Sequence, residues 1–156
     1  MTQASEPRRI TQRSLPAASE EYDGSRIAFY FLVIVAIVGT GRSPVHIFAA
    51  DGGAHSIAGL AVDVEAGANI VAVFAQWGAS QLILAVFYWL AILRCRFLTP
   101  FMLAMVVVEQ LLRLGAGQLK PLEVAAAPPG ATGSYLLLPL GLPAFILSLR
   151  KRSQSA

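Results

Sequence analysis

The sequence predicts an all-α membrane protein, a four-transmembrane-helix bundle with a short interfacial helix in its first outer loop, and three observations carry that prediction. First, 56% of the 156 residues are hydrophobic and 13% charged, with a mean hydropathy of +0.62; an ordinary soluble domain is about 25% charged. Second, apolar runs fall at about 26–42, 67–93, 97–115 and 133–149, and a hydrocarbon layer about 30 Å thick needs roughly 20 such residues per helical crossing. Third, arginine and lysine gather at alternate ends of those runs, as expected when the cytoplasmic loops hold the positive charge.

Residues 1–25 are polar, with too little apolar surface to offset the entropy of ordering, and predict a disordered cytoplasmic tail. Arg8-Arg9 is like a twin-arginine export signal, but the apolar run starts only at Ile27 and no small-residue cleavage site follows it closely, so an uncleaved first crossing is expected. The transmembrane domain then occupies 26–152, and 153–156 form a second cytoplasmic tail.

The first crossing is carried by the run Ile27 to Gly39 between Arg26 and Arg42, with Gly39, Gly41 and Pro44 expected to end it. In the following stretch Ile57, Leu60, Ala61 and Val64 recur at helical spacing, which predicts the interfacial helix. The second crossing has Asp63 and Glu65 before its amino end, where the helix dipole favours negative charge. It closes on Phe87, Tyr88, Trp89 and Arg94, an aromatic and basic boundary. Arg94-Cys95-Arg96 is a short turn, so the second and third helices should pack as an antiparallel hairpin. Pro100 suits the start of the third helix, which stops at Gly115-Ala116-Gly117. A proline-rich outer loop through Pro128-Pro129-Gly130 leads to the fourth, interrupted by Pro139 and Pro143 and closed by Arg150-Lys151-Arg152.

Arg8, Arg9, Arg13, Arg26, Arg94, Arg96, Arg150, Lys151 and Arg152 fall on one side of such a bundle, against Arg42, Lys120 and Arg113 on the other. Both termini are therefore expected in the cytoplasm. The basic residues mark topology and form no broad patch, so no nucleic-acid partner is expected. Arginine far outnumbers lysine and alanine is abundant, which points by association to a bacterial inner membrane.

Within this frame Glu109 and Arg113 share a face of the third helix at i,i+4 and can pair. An ionisable group inside a membrane segment is a functional candidate, although a neutralised pair that fastens helices together is the more frequent outcome. Asn69, Gln76 and Ser80 share a stripe of the second helix with Ala72 and Ala79 beside them; the stripe is expected to face the bundle interior, where small residues allow close packing and amides find interhelical partners. Glu109, Arg113, Gln76 and Asn69 are thus the candidate polar pocket. His46 and His55 are weak candidates as ligands, since neither belongs to a motif with metal-ligand spacing. The single cysteine, Cys95, excludes an intrachain disulfide. No metal, cofactor or catalytic motif is expected.

The glycine and proline break after the first helix, the long second helix, the basic turn Arg94-Cys95-Arg96 and the third helix with Glu109 and Arg113 before GAGQLKP are together similar to small bacterial four-helix proteins of the DoxX-like group. That resemblance covers about Arg26 to Arg152. Some members are linked to membrane oxidoreductase complexes as small subunits, which implies such a role here as an expectation. The leading functional reading is a non-catalytic accessory or interaction subunit of a larger inner-membrane assembly, with the bilayer and other membrane subunits as partners. Two alternatives stand beside it: a small carrier or proton-linked protein using Glu109 and Arg113, and a module that binds a quinone or lipid.

Overall fold

The computed structural model describes residues 21–124 and 128–150, so all but the last five residues of the expected 1–25 tail, and the whole of the expected 153–156 tail, lie outside the described residues. The described residues form four helices, α1 (Arg26–Phe48), α2 (Gly67–Leu93), α3 (Thr99–Leu119) and α4 (Pro129–Leu149), with a 3₁₀ turn, Arg96–Leu98, leading into α3. All four are long and apolar enough to cross a membrane, and the described residues contain no strand. The protein is a small multi-pass membrane protein built as a helical bundle.

Local chemistry sets the starts of these helices. Ser25 is extended and its Oγ accepts from the Ile27 amide at 3.2 Å, supplying one of the partners that a helix amino end lacks. Pro100 and Pro129 occupy first-turn positions, where a missing N–H costs nothing. The ends differ from expectation at three places. α1 runs through Gly39, Gly41 and Pro44 to Phe48, six residues past the expected stop. α3 runs on to Leu119 through Gly115 and Gly117, and α4 begins at Pro129 and continues unbroken through Pro139 and Pro143. In lipid the backbone has no water to turn to, so a proline or glycine costs some helical stability while leaving the chain no better state than helix. Nearby hydroxyls add bonds: Thr40 Oγ1 donates to the Ala36 carbonyl and Ser43 Oγ to that of Gly39, both at 2.7 Å.

The interfacial helix expected around 57–64 is absent; residues 49–66 form a series of turns. Gly59, inside that stretch, takes φ of +70°, which breaks a helix there, and Asp51 fastens the turns just before it. The Asp51 carboxylate accepts from the amides of Gly53 (2.9 Å) and Ser56 (2.6 Å), and Gly52 and Gly53 take φ of +59° and +72°, a left-handed pair that no helix tolerates.

α1 packs along α2 and α3 along α4, while α2 and α3 touch far less, so the expected α2–α3 hairpin is a short connection between two better-packed pairs. α1 also touches α4 and joins the two halves. The core is Ala28, Leu32 and Ala36 of α1, Tyr88, Ala91 and Ile92 of α2, Met102, Leu103 and Val106 of α3, and Ala144 of α4. Small side chains on α1 bring the backbones close. Outside this core the apolar side chains turn outward, among them Ile34, Val73, Ile83, Leu112, Leu136 and Leu140, the arrangement that hydrocarbon solvent favours.

Candidate functional site

The charged and polar side chains of three helices meet around one indole, that of Trp77 on α2. α1 is antiparallel to α2, which sets the last two turns of α1 against the amino half of α2, and the extension of α1 past Gly41 is what brings Arg42 there. The Arg42 guanidinium lies 4.9 Å from the Trp77 ring centroid and donates through Nη2 to Gln81 Oε1 at 2.8 Å. Arg113 approaches from α3, also 4.9 Å from that centroid. A guanidinium near an indole gains roughly 0.5–2 kcal/mol depending on how dry the site is. The Arg113 Nη1 to Glu109 Oε1 separation is 3.6 Å, an ion pair without a hydrogen bond, and both side chains are about a quarter exposed, at 23% and 28%.

The fourth wall is the amino end of α4. The position a Gly130 Cβ would take lies 3.4 Å from Arg113 Nη2 and 3.8 Å from Arg42 Nη1, so both cations reach the same point. Neither an acidic residue nor a side-chain cap is present in the first turn of α4.

Below the indole sits His46, buried at 3% exposure, its ring 4.7 Å from that of Trp77 and 5.8 Å from that of Phe74. Its Nδ1 donates to the Gly52 carbonyl at 2.7 Å, since a carbonyl can only accept. His46 thus pins the turn after α1 to the bundle and is no surface histidine; its place is set by Gly78, whose missing side chain lets α1 approach. His55 is exposed, with Nδ1 3.1 Å from the Leu60 carbonyl oxygen. The described residues hold no group of three or more potential metal ligands. Cys95 is fully buried in the turn between α2 and the 3₁₀ segment.

Comparison with protein families, with curated proteins and with solved structures finds no match. The geometry alone therefore speaks to function.

Of the four residues expected to form a pocket, the fold unites two. Glu109 and Arg113 pair as expected. Asn69, Gln76 and Ser80 are all exposed, on the outward face of α2. Ser80 Oγ donates to the Gln76 carbonyl at 3.1 Å, while the Asn69 and Gln76 side-chain amides have no hydrogen-bond partner among the described residues. The expectation of an inward stripe fails because Trp77, Gly78 and Gln81 hold the interior face, one helical step away. Arg42, Trp77 and Gln81 are the members that sequence reasoning missed. The available signal was the apolar run Val45, Ile47 and Phe48 beyond Arg42, which extends the crossing and places that arginine inside it.

Deeper in the bundle Tyr88 is 3% exposed and its hydroxyl has no hydrogen-bond partner among the described residues. The Trp89 indole N–H donates to Thr40 Oγ1 at 2.9 Å, tying α2 to α1. The assembly around Trp77 is cationic overall, with two guanidiniums against one carboxylate. It can hold helices together and present positive charge.

Proposed function

We propose that the protein is a non-catalytic membrane module that associates with other membrane proteins through the outward face of α2. The observation that carries this reading is the outward placement of Asn69, Gln76 and Ser80, interleaved with exposed Ala72 and Ala79. At about 1.5 Å per residue from Arg94, Gln76 lies near the far boundary of the hydrocarbon and Asn69 beyond it; amides so placed on an outward face are free to bond a neighbouring helix, and the small residues beside them let that helix come close. The partner surface is accordingly a transmembrane helix with small residues and a hydrogen-bonding side chain. The resemblance to DoxX-like proteins, some of them small subunits of oxidoreductase complexes, points the same way. In this reading both termini face the cytoplasm of a bacterial inner membrane, since Arg26, Arg94, Arg96 and Arg150 lie at one end of the bundle.

A carrier working through Glu109, Arg113 and Gln76 finds less support, because Gln76 lies on the outward face and Glu109 is engaged by Arg113.

The test is the mass of the assembly extracted from native membranes in mild detergent. The wild-type chain should run well above its own 16.6 kDa plus detergent, and Gln76→Leu should shift it toward the monomer, weakening association by about 1 kcal/mol for one interhelical hydrogen bond. A wild-type chain that runs as a bare monomer, or a variant of unchanged assembly mass, would count against the proposal.

A further inference from the structure

We propose that Arg42, Arg113 and the amino end of α4 form a binding site for a phosphate-class oxyanion, the group carried by an anionic lipid headgroup or by free phosphate. Four observations converge on it. Two guanidiniums from different helices are held against one indole, at 4.9 Å each, and both reach within 4 Å of a single point beside Gly130. Like charges so placed repel, and one divalent or monovalent oxyanion between them converts that repulsion into attraction. Their donors are largely unspent: each guanidinium carries five N–H groups, of which Arg42 gives one to Gln81 and Arg113 gives none to a hydrogen bond among the described residues. The first turn of α4 brings the positive end of a 21-residue helix to the same point with no acidic side chain to occupy it. Gly130 leaves open the space a side chain would fill.

Depth selects the ligand. Arg42 lies about 24 Å along α1 from Arg26, and Arg113 about 25 Å from Arg96, at 1.5 Å per residue. With Arg26 and Arg96 at one membrane boundary, the two guanidiniums come close under the opposite one, where lipid phosphates reside. The site is open on one side, as the 23% exposure of Arg113 indicates. Glu109 is its internal competitor: it neutralises Arg113 while the site is empty, across 3.6 Å and without a hydrogen bond, and yields when a better acceptor arrives.

Trp77 makes the site readable. In a Trp89→Phe background it is the sole tryptophan, and its emission should respond when either guanidinium leaves the ring for an anion. The full chain in neutral detergent is titrated separately with phosphatidylglycerol, phosphatidylcholine and inorganic phosphate. A saturable response to phosphatidylglycerol exceeding that to phosphatidylcholine supports a headgroup ligand. A saturable response to inorganic phosphate supports a free anion. Arg42→Gln and Arg113→Gln should each weaken the response roughly tenfold or more. Glu109→Gln, which removes the competitor and keeps the shape, should leave binding intact or tighten it. Equal responses to the two lipids with none to phosphate would overturn the proposal, and so would binding that survives loss of both arginines or collapses in Glu109→Gln protein of wild-type thermal stability.

Discussion

At the scale of single residues, Asp51 shows how one side chain fixes a turn. The spacing of Ile57, Leu60, Ala61 and Val64 fits a helix, but Gly59 at φ +70° breaks it, while the Asp51 carboxylate, accepting the Gly53 and Ser56 amides, fixes the turns just before. Those same bonds, the Ser56 amide first and then that of Gly53, hold the Asp51 carboxyl well below the usual carboxylate range. The sign of the pH dependence follows. A carboxyl whose folded pKa is depressed contributes stability that is fully present above its unfolded pKa of about 4 and is lost as the pH falls through the lower folded value. The turn should therefore survive acidification from pH 7 to about 4 and open only below that. The Ser56 amide resonance, followed by NMR in detergent micelles, should be flat across the upper range and move only in the lower one. A midpoint near pH 4 would show that the carboxylate does not hold the turn.

At the scale of elements, the α1–α2 contact depends on one missing side chain. A Cβ at Gly78 would lie 2.6 Å from the His46 Cβ and 3.1 Å from the Ser43 carbonyl oxygen, neither of which can swing aside, whereas one at Gly41 would meet nothing within 4 Å. Gly78→Ala should destabilise the bundle by roughly 1–3 kcal/mol, as overpacking of a close interface does, and free His46 from its bond to Gly52. Gly41→Ala, on the same helix pair, should be neutral or slightly stabilising because alanine is the better helix former. Thermal unfolding of the two variants side by side separates the contributions, and equal effects would refute the close-packing role. Gly78 also marks how far the sequence could be read. Apolar length made all four helices and the face shared by Glu109 and Arg113 legible, since both follow from local spacing. Which side of α2 turns inward was not legible, because Gln76, Trp77, Gly78 and Gln81 are close in hydropathy pattern and only packing against Ser43, His46 and Ile47 decides among them. The extent of α1 is illegible for a related reason: the breaking power of Gly39, Gly41 and Pro44 holds in water, and lipid removes the competing solvent.

At the scale of the whole molecule, the two well-packed pairs, α1 with α2 and α3 with α4, meet along α1 and put different groups at the two ends of the bundle. Residues 21–25, the Arg94–Thr99 turn and Arg150 share one end; the Asp51 turns, the two-arginine cluster and Pro128 share the other. Such a polarised bundle has one preferred orientation, and the proposed one is accessible to a direct chemical test, because Cys95 is the sole native cysteine and is fully buried, hence silent to a bulky thiol reagent in the folded protein. A cysteine placed at exposed Ser56 keeps the backbone amide that Asp51 needs, and one at exposed Asp23 sits before α1 begins. A membrane-impermeant maleimide applied to intact cells stripped of their outer membrane should label Ser56→Cys protein and leave Asp23→Cys protein unlabelled until the cells are lysed. The reverse pattern would invert the orientation and leave the bundle itself untouched, whereas labelling of both positions in intact cells would mean that the segment before α1 and the first loop lie on the same side, which the single crossing between Asp23 and Ser56 forbids.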